Sequence, residues 1–206
     1  MNKNAIIILC LALTACSTSG PIVRSPSSDG MIHSSSGGVS YANVIWSKSV
    51  PMGEYKDLVV VLEDDFSPPA DEESQVNKLG FFTRVLGRND LDRLVVSNNL
   101  QEKVQTLRTW KGLGDLYRAY KPYLVIHFKC VDDNGAIKYR LIVTNPDTLE
   151  NEFVDEVEVH TAAEYATMGL LTLGAGMYES TKCSGPDEVV RYPLFNSMMR
   201  WIRENE

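Results

Sequence analysis

The stretch from Tyr123 to Val143, YLVIHFKCVDDNGAIKYRLIV, constrains the fold more than any other part of the chain. Apolar positions alternate on both sides of an Asn-Gly pair, which tolerates the positive φ angles of a tight hairpin. Before this pair, one predicted face holds Leu124, Ile126, Phe128 and Cys130, and the other holds Val125, His127 and Lys129. After it, Ile137, Tyr139, Leu141 and Val143 form the apolar row of the returning strand. A turn at 145–147 leads to a third run over 152–160. The sequence therefore predicts a three-strand antiparallel meander.

Other segments predict helices and strands around this meander. The apolar run at 58–62, LVVVL, predicts a strand buried on both faces. Helical spacing over 76–86, ending at Gly87, predicts a helix, 91–97 predicts a second strand, and 98–107 predicts a helix capped by Asn98 or Asn99. A final helix buries a stripe made of Leu194, Met198 or Met199, Trp201 and Ile202. We expect an α/β (mixed α+β) fold with a mixed sheet, the meander and flanking helices.

The amino-terminal residues differ from the rest in composition. Residues 4–15 are apolar, follow Lys3 and are too few to cross a bilayer, which takes roughly 20 apolar residues. Residues 13–16, LTAC, resemble the lipobox of bacterial lipoproteins. The resemblance implies a signal peptide at 1–15, cleavage before Cys16 and acylation of Cys16, including palmitate. Ser17 in place of an aspartate implies the periplasmic face of the outer membrane.

After Cys16 the chain is rich in Ser, Gly and Pro up to residue 40. Such a composition predicts a flexible tether over 16–40, with a root-mean-square span of roughly 27 Å. Residues 41–206 are long enough for a single periplasmic globular domain. Loss of Lys3 with the signal peptide changes the formal net charge from -7 to -8. An acidic domain of this kind argues against nucleic acid as a partner.

Two cysteines remain once Cys10 leaves with the signal peptide and Cys16 is acylated. In an oxidising compartment Cys130 and Cys183 predict a disulfide bond. Two unrelated buried thiols are the alternative.

The order of the predicted elements resembles a known group of domains. The residues that carry the resemblance are LVVVLEDD at 58–65, LDRLVVSNNLQEKVQTL at 91–107 and the hairpin at 123–143. They resemble the TolB N-terminal-like group, which includes periplasmic domains of curli-secretion and peptidoglycan-synthase-activating lipoproteins. The chain departs from this pattern at 120–122 and has an additional segment at 161–190. The resemblance implies a binding role in the envelope.

Motifs for catalysis are absent from the sequence. It has three histidines and none of the His-Glu-x-x-His, Cys-x-x-Cys or Gly-x-Ser-x-Gly patterns, so we expect no cofactor, no metal and no enzyme activity. Glu63, Asp64 and Asp65 follow the first strand and are candidate interaction residues in the acidic loop 63–73.

The sequence thus predicts a membrane-anchored protein that binds an unknown envelope protein during assembly or secretion. Three alternatives stay open. They are a homo-oligomeric ring, an enzyme that uses the acidic loop, and a carrier that holds an apolar ligand beneath the apolar segment 162–178, which is itself either a packed helix or an exposed loop.

Overall fold

One mixed six-stranded sheet organises the protein. The computed structural model describes residues 24–34, 36–62, 72–133, 136–160 and 188–206. The strands are β1 (Asn43–Ser47), β2 (Val59–Leu62), β3 (Val85–Gly87), β4 (Leu124–Asp133), β5 (Ala136–Thr144) and β6 (Asn151–His160), in the order β1-β6-β5-β4-β2-β3. The described α-helices are α1 (Glu72–Lys78), α2 (Arg88–Ser97), α3 (Trp110–Ala119) and α4 (Glu188–Glu204), with a 3-10 turn at Met52–Glu54. The expected α/β class is confirmed.

Two apolar cores lie on opposite faces of this sheet. Helices α1 and α4 cover one face, where Val59 and Val61 of β2 belong to the core. Helices α2 and α3 cover part of the other, where Val60 and Leu62 are buried. Strand β2 is therefore buried on both faces, as its uninterrupted apolar run predicts.

The meander forms with the predicted pairing and faces. In β4 and β5, Phe128 is the register partner of Leu141, and β6 continues the antiparallel ladder. Leu124, Ile126, Phe128 and Cys130 contact the α4 core, whereas Val125 belongs to the other one. Alternating side chains thus reach opposite faces because successive Cβ atoms of a strand point in opposite directions.

Residues 91–97, predicted as a strand, form most of α2, so that prediction is wrong. Leu91, Leu94 and Val95 are buried and have the spacing of one helix face, while Val96 is 60 % exposed. A run of seven residues with this pattern fits both the helical and the strand period, and packing on the sheet selects the helix.

The predicted helices on either side of α2 also differ from the structure. Helix α1 ends at Lys78, and the apolar pair Val85-Leu86 instead adds β3 parallel to β2. After α2, Asn99 has a φ of 55°, which interrupts the helical path. The predicted helix over 98–107 is therefore replaced by turns, although its apolar residues Leu100, Val104 and Leu107 are buried.

The last helix, α4, carries the predicted stripe. Leu194, Met198, Met199, Trp201 and Ile202 are all buried, and the Trp201 ring stacks on Phe153 of β6 at 5.0 Å between centroids. Among the described residues no helix is both long and apolar enough to cross a bilayer.

Residues 24–34 and 36–40, here called the N-terminal strap, contact α4. Ile32 is 2 % exposed, and its N–H donates to Asn196 Oδ1 at 2.8 Å. Asn196 Nδ2 in turn donates to the carbonyls of Ile32 and Ser40. The contacts of the domain thus extend into the segment for which the sequence predicts a tether, and the boundary at residue 40 stays a prediction.

Candidate protein-binding edge

Strand β1 is an edge strand, and it carries no charge. Its sequence is NVIWS, all five residues are exposed, and among the described strands it pairs with β6 alone. Edge strands expose unpaired N–H and C=O groups, and proteins usually protect them with lysine, proline or a bulge. Here the register shift between Val44 and Trp46 is the protection that β1 itself has. Within the part of the chain that the structure describes, no strand pairs with the outer side of β1, which is therefore available to another extended chain.

Large apolar side chains are concentrated along this edge. Tyr41 is 44 % exposed, Val44 36 %, Ile45 50 % and Trp46 55 %. We call these four residues the β1 edge patch. The Trp46 indole N–H donates to the Asn151 carbonyl at 2.9 Å, which fixes the ring while half of it stays in solvent. Grouped exposure of this kind is typical of binding surfaces.

Both ends of β1 are held by α4, so the patch has a defined position. Before the strand, the Ala42 N–H donates to Ser197 Oγ at 2.9 Å. After it, the Lys48 N–H donates to the Glu152 carbonyl at 2.9 Å, and the Trp201 indole N–H donates to the Lys48 carbonyl at the same distance. These buried and half-buried bonds make the edge a rigid template, which lowers the entropy cost of binding.

Each end of the patch has a cationic side chain, and the two cations differ in their ion pairing. The Arg200 guanidinium of α4 is 4.6 Å from the centre of the Tyr41 ring. Arg200 is exposed, and none of the described carboxylates lies within ion-pair distance of it. Lys48, at the opposite end, is paired with Glu150 at 2.8 Å and with Glu152 at 3.6 Å.

A buried carboxyl group lies directly behind the edge. Asp155 of β6 is fully buried and is the register partner of Val44 in β1 and of Leu141 in β5. Neither carboxyl oxygen has a hydrogen-bond partner of good geometry among the described residues. Burial raises the pKa of Asp155 well above its usual range, and the backbone N–H groups of Leu141 and Asp155 offset this only partly. Asp155 is therefore protonated in the folded protein over part of the pH range where a solvated aspartate is charged.

Most of the site residues that the sequence predicts lie outside the described residues. This holds for Cys16, Glu63, Asp64, Asp65 and Cys183, and for the apolar segment 162–178. Their roles in lipidation, interaction and disulfide bonding stay predictions. Cys130 lies on β4 beside the α4 core and is disulfide-bonded, and its pairing with Cys183 is untested.

The described end of the acidic loop is not a solvated carboxylate cluster. Glu72 is 1 % exposed, and its Oε1 lies 3.9 Å from the Arg191 guanidinium of α4. Among the described residues no group of three His, Cys, Asp or Glu side chains is arranged to hold a metal ion. The α1 end of the loop therefore joins two helices in the interior.

His127 is a packed residue of the sheet face under α3. It is 5 % exposed, its Nε2 is 3.1 Å from Thr144 Oγ1, and its ring meets Trp110 edge-on at 5.5 Å.

The β1 edge patch was missed by reasoning from the sequence. Its signal is the uncharged run YANVIW at 41–46 next to a polar segment. An exposed edge strand lacks the strict alternation that marks a half-buried one, so this run gives no clear period.

Comparison with known proteins adds little to this description. The chain resembles the LpoB C-terminal domain from Salmonella enterica at 16 % identity and a TM-score of 0.35, over 56 % of this chain and 88 % of that one. It resembles the LpoB C-terminal domain from Escherichia coli at 13 % identity and a TM-score of 0.34, over 52 % and 85 %. No protein-family profile and no curated protein matches the chain. We therefore base the functional proposal on the chain's own residues.

Proposed function

We propose that the protein is a lipid-anchored accessory factor of the cell envelope that binds another protein through the β1 edge patch. The observation that supports this most is the uncharged, rigidly held edge strand with four exposed apolar side chains at 41–46. Such a surface is costly to leave in water and offers main-chain hydrogen bonds to an extended segment.

The proposed anchor is Cys16, at the periplasmic face of the outer membrane. From Cys16 to the strap at Arg24 there are 24 − 16 = 8 residue steps, which reach at most about 29 Å in any conformation. A tether that continued to residue 40 would have 40 − 16 = 24 steps and reach about 86 Å. Because the strap contacts α4, the domain would stay near the membrane that carries it. Confinement of this kind raises the local concentration for a membrane-bound partner.

A ring or chain of copies is a second candidate function. The observation that favours it is that the sheet formed by the described strands ends in β1 on one side and in the short parallel strand β3 on the other. Pairing of β1 with β3 of the next copy would give a heterologous contact, which closes into a ring or extends as a filament. Sedimentation of the full-length lipoprotein in detergent over a range of concentrations separates this from a monomer that binds another protein.

The proposed binding role is tested by site-specific photo-crosslinking in cells. We place a photoreactive residue at Val44, and at Val96 as a control that is exposed and apolar but lies on α2. A crosslink to one defined envelope protein is expected from position 44 and not from position 96. The Ile45→Lys change should remove this crosslink without releasing the protein from the membrane.

The anchor is tested separately with Cys16→Ala. The variant should no longer incorporate labelled palmitate. Palmitate incorporation by the alanine variant, or crosslinking from position 44 that is unchanged by Ile45→Lys, contradicts the proposal.

A further inference from the structure

We infer that the β1 edge accepts an extended, uncharged segment of its partner that runs antiparallel to β1 and ends in a carboxylate at Arg200. This inference rests on the proposed function and adds the chemistry and direction of the bound segment.

The backbone of β1 determines the form of the segment. In an antiparallel pair, the N–H and C=O groups of successive residues point alternately toward and away from the partner strand. Lys48 follows β1 and bonds Glu152 of β6, so on each side of the register shift between Val44 and Trp46 alternate groups of β1 point away from β6. Those groups are matched by another strand of about the same length as the five residues of β1.

The side chains of β1 determine the middle of the segment. Val44, Ile45 and Trp46 carry no charge, and β-branched residues pair favourably with aromatic and β-branched neighbours across strands. A charged residue opposite them would lose hydration with no partner, because β1 has no charged side chain. We therefore expect uncharged β-branched residues such as Thr and Val in the centre of the segment.

Antiparallel pairing is the more stable arrangement per residue, and for a segment that runs this way the charges at the two ends of β1 determine which end of the segment carries a carboxylate. Arg200 and Tyr41 lie at the amino-terminal end of β1, and Arg200 has no carboxylate partner among the described residues. Lys48, at the carboxyl-terminal end, is already paired with two glutamates. An antiparallel segment brings its own carboxyl-terminal end to Tyr41. An Asp, a Glu or a chain terminus there meets the free guanidinium, which forms planar two-pronged hydrogen bonds with carboxylates.

The net charge of the chain is -7, so the molecule as a whole does not attract an acidic partner. The attraction for a carboxylate is confined to Arg200, whose side chain is exposed to solvent. The ion pair should therefore favour a segment with a terminal carboxylate over an uncharged one by about two- to fivefold at low salt, and this preference should decrease as salt screens the charges.

The test uses the full-length lipoprotein in detergent micelles and three dye-labelled peptides. The first peptide alternates Thr and Val and ends in Glu, the second ends in Gln, and the third has the Glu at its amino end. Both peptide termini are blocked. Fluorescence polarisation gives the dissociation constants at low and high salt. We expect the first peptide to bind about two- to fivefold more tightly than the other two, with the difference lost at high salt.

Matched variants of the protein identify which of its residues are responsible for peptide binding and for the carboxylate preference. Arg200→Gln should abolish the preference for the terminal Glu and leave binding of the Gln peptide unchanged. Tyr41→Phe keeps the ring beneath Arg200 and should preserve the preference. Ile45→Lys should raise the dissociation constants of all three peptides at least tenfold, and Val96→Lys should change none of them.

Equal binding of the Glu and Gln peptides, or a preference that survives Arg200→Gln, overturns the inferred partner chemistry. Tighter binding of the amino-terminal Glu peptide overturns the antiparallel direction. Absence of binding by all three peptides, or a dimer that forms through β1 instead, overturns strand addition by a partner. Failure of the proposed function is recognised independently, because the crosslink from position 44 in cells does not depend on these peptides.

Discussion

The buried carboxyl of Asp155 makes a specific prediction about how stability depends on pH. The change is Asp155→Asn, which keeps the size and polarity of the side chain and removes its proton equilibrium. In the folded protein, burial raises the pKa of Asp155 well above the usual range of an aspartate, whereas in the unfolded chain the group is solvated and has a pKa of about 3.9. The two states therefore bind different numbers of protons above that value.

The sign of the change in stability with pH follows from that difference in bound protons. Between the unfolded and the folded pKa, the unfolded chain has lost the Asp155 proton and the folded protein still holds it. Stability then falls as pH rises, by about 1.4 kcal/mol for each pH unit. Below the unfolded pKa both states are protonated, and this loss is absent. The asparagine variant lacks the loss, so its stability relative to the wild type increases with pH and levels off once Asp155 ionises in the fold.

Urea denaturation of both proteins at half-unit steps from about pH 2 to about pH 8 measures this difference and also covers the lower pH range in which the control below titrates. Contributions of other groups cancel in the comparison of the two proteins. Asp115→Asn is the matched control, because Lys111 and Arg118 lower the pKa of Asp115 through hydrogen bonds. Its wild-type carboxylate contributes stability that is lost on acidification, so this variant should lose stability relative to the wild type as pH rises. A pH-independent difference for Asp155→Asn, or one with the sign of the control, refutes the buried neutral acid.

Three further outcomes follow from packing and covalent structure. Asn196→Ala removes three hydrogen bonds to Ile32 and Ser40 and should cost about 3 kcal/mol in urea denaturation, with loss of hydrogen-exchange protection at the Ile32 N–H, while exposed Asn77→Ala should cost little. Unchanged protection at Ile32 would contradict the strap contact. Gly112→Ala should destabilise by about 3 kcal/mol, because its Cβ would overlap the Thr106 carbonyl, whereas Gly53→Ala meets no atom within 4 Å and should be neutral; equal melting of the two variants would contradict this packing. If Cys130 pairs with Cys183, Cys183→Ser should leave Cys130 open to thiol labelling after denaturation and lower stability by roughly 4 kcal/mol; an unreactive Cys130 in that variant would indicate another partner.

Sequence reasoning succeeded where short-range patterns decide the structure. The alternation on both sides of the Asn-Gly pair at 134–135 predicts a hairpin, and the two flanking strands pair antiparallel as expected, with Phe128 opposite Leu141. The same holds for the stripe of α4, because its helical spacing extends over several turns.

Short segments were predicted less well. Residues 91–97 fit both periods, and contact of Leu91, Leu94 and Val95 with β2 and its neighbours decided for a helix. Val85 and Leu86 continue a helical pattern in the sequence, yet pairing with β2 makes them a strand. In both places the energy of tertiary packing exceeds the small differences in local propensity.

The candidate site was beyond the reach of the sequence. Tyr41 and Arg200 are 200 − 41 = 159 positions apart, and the fold of α4 against β1 brings them together. Asp155 looks like any strand aspartate until the sheet and α4 bury it.

The sequence by itself determined the meander, the doubly buried strand and the final helix, and it pointed to an acylated Cys16, because these depend on neighbours a few residues apart. Tertiary structure alone decided the strand order, and with it which described strand lies at the edge, which carboxyl is buried and which cation has no carboxylate partner among the described residues. Those properties depend on contacts between distant parts of the chain, and their energies exist only once the sheet and its helices have assembled.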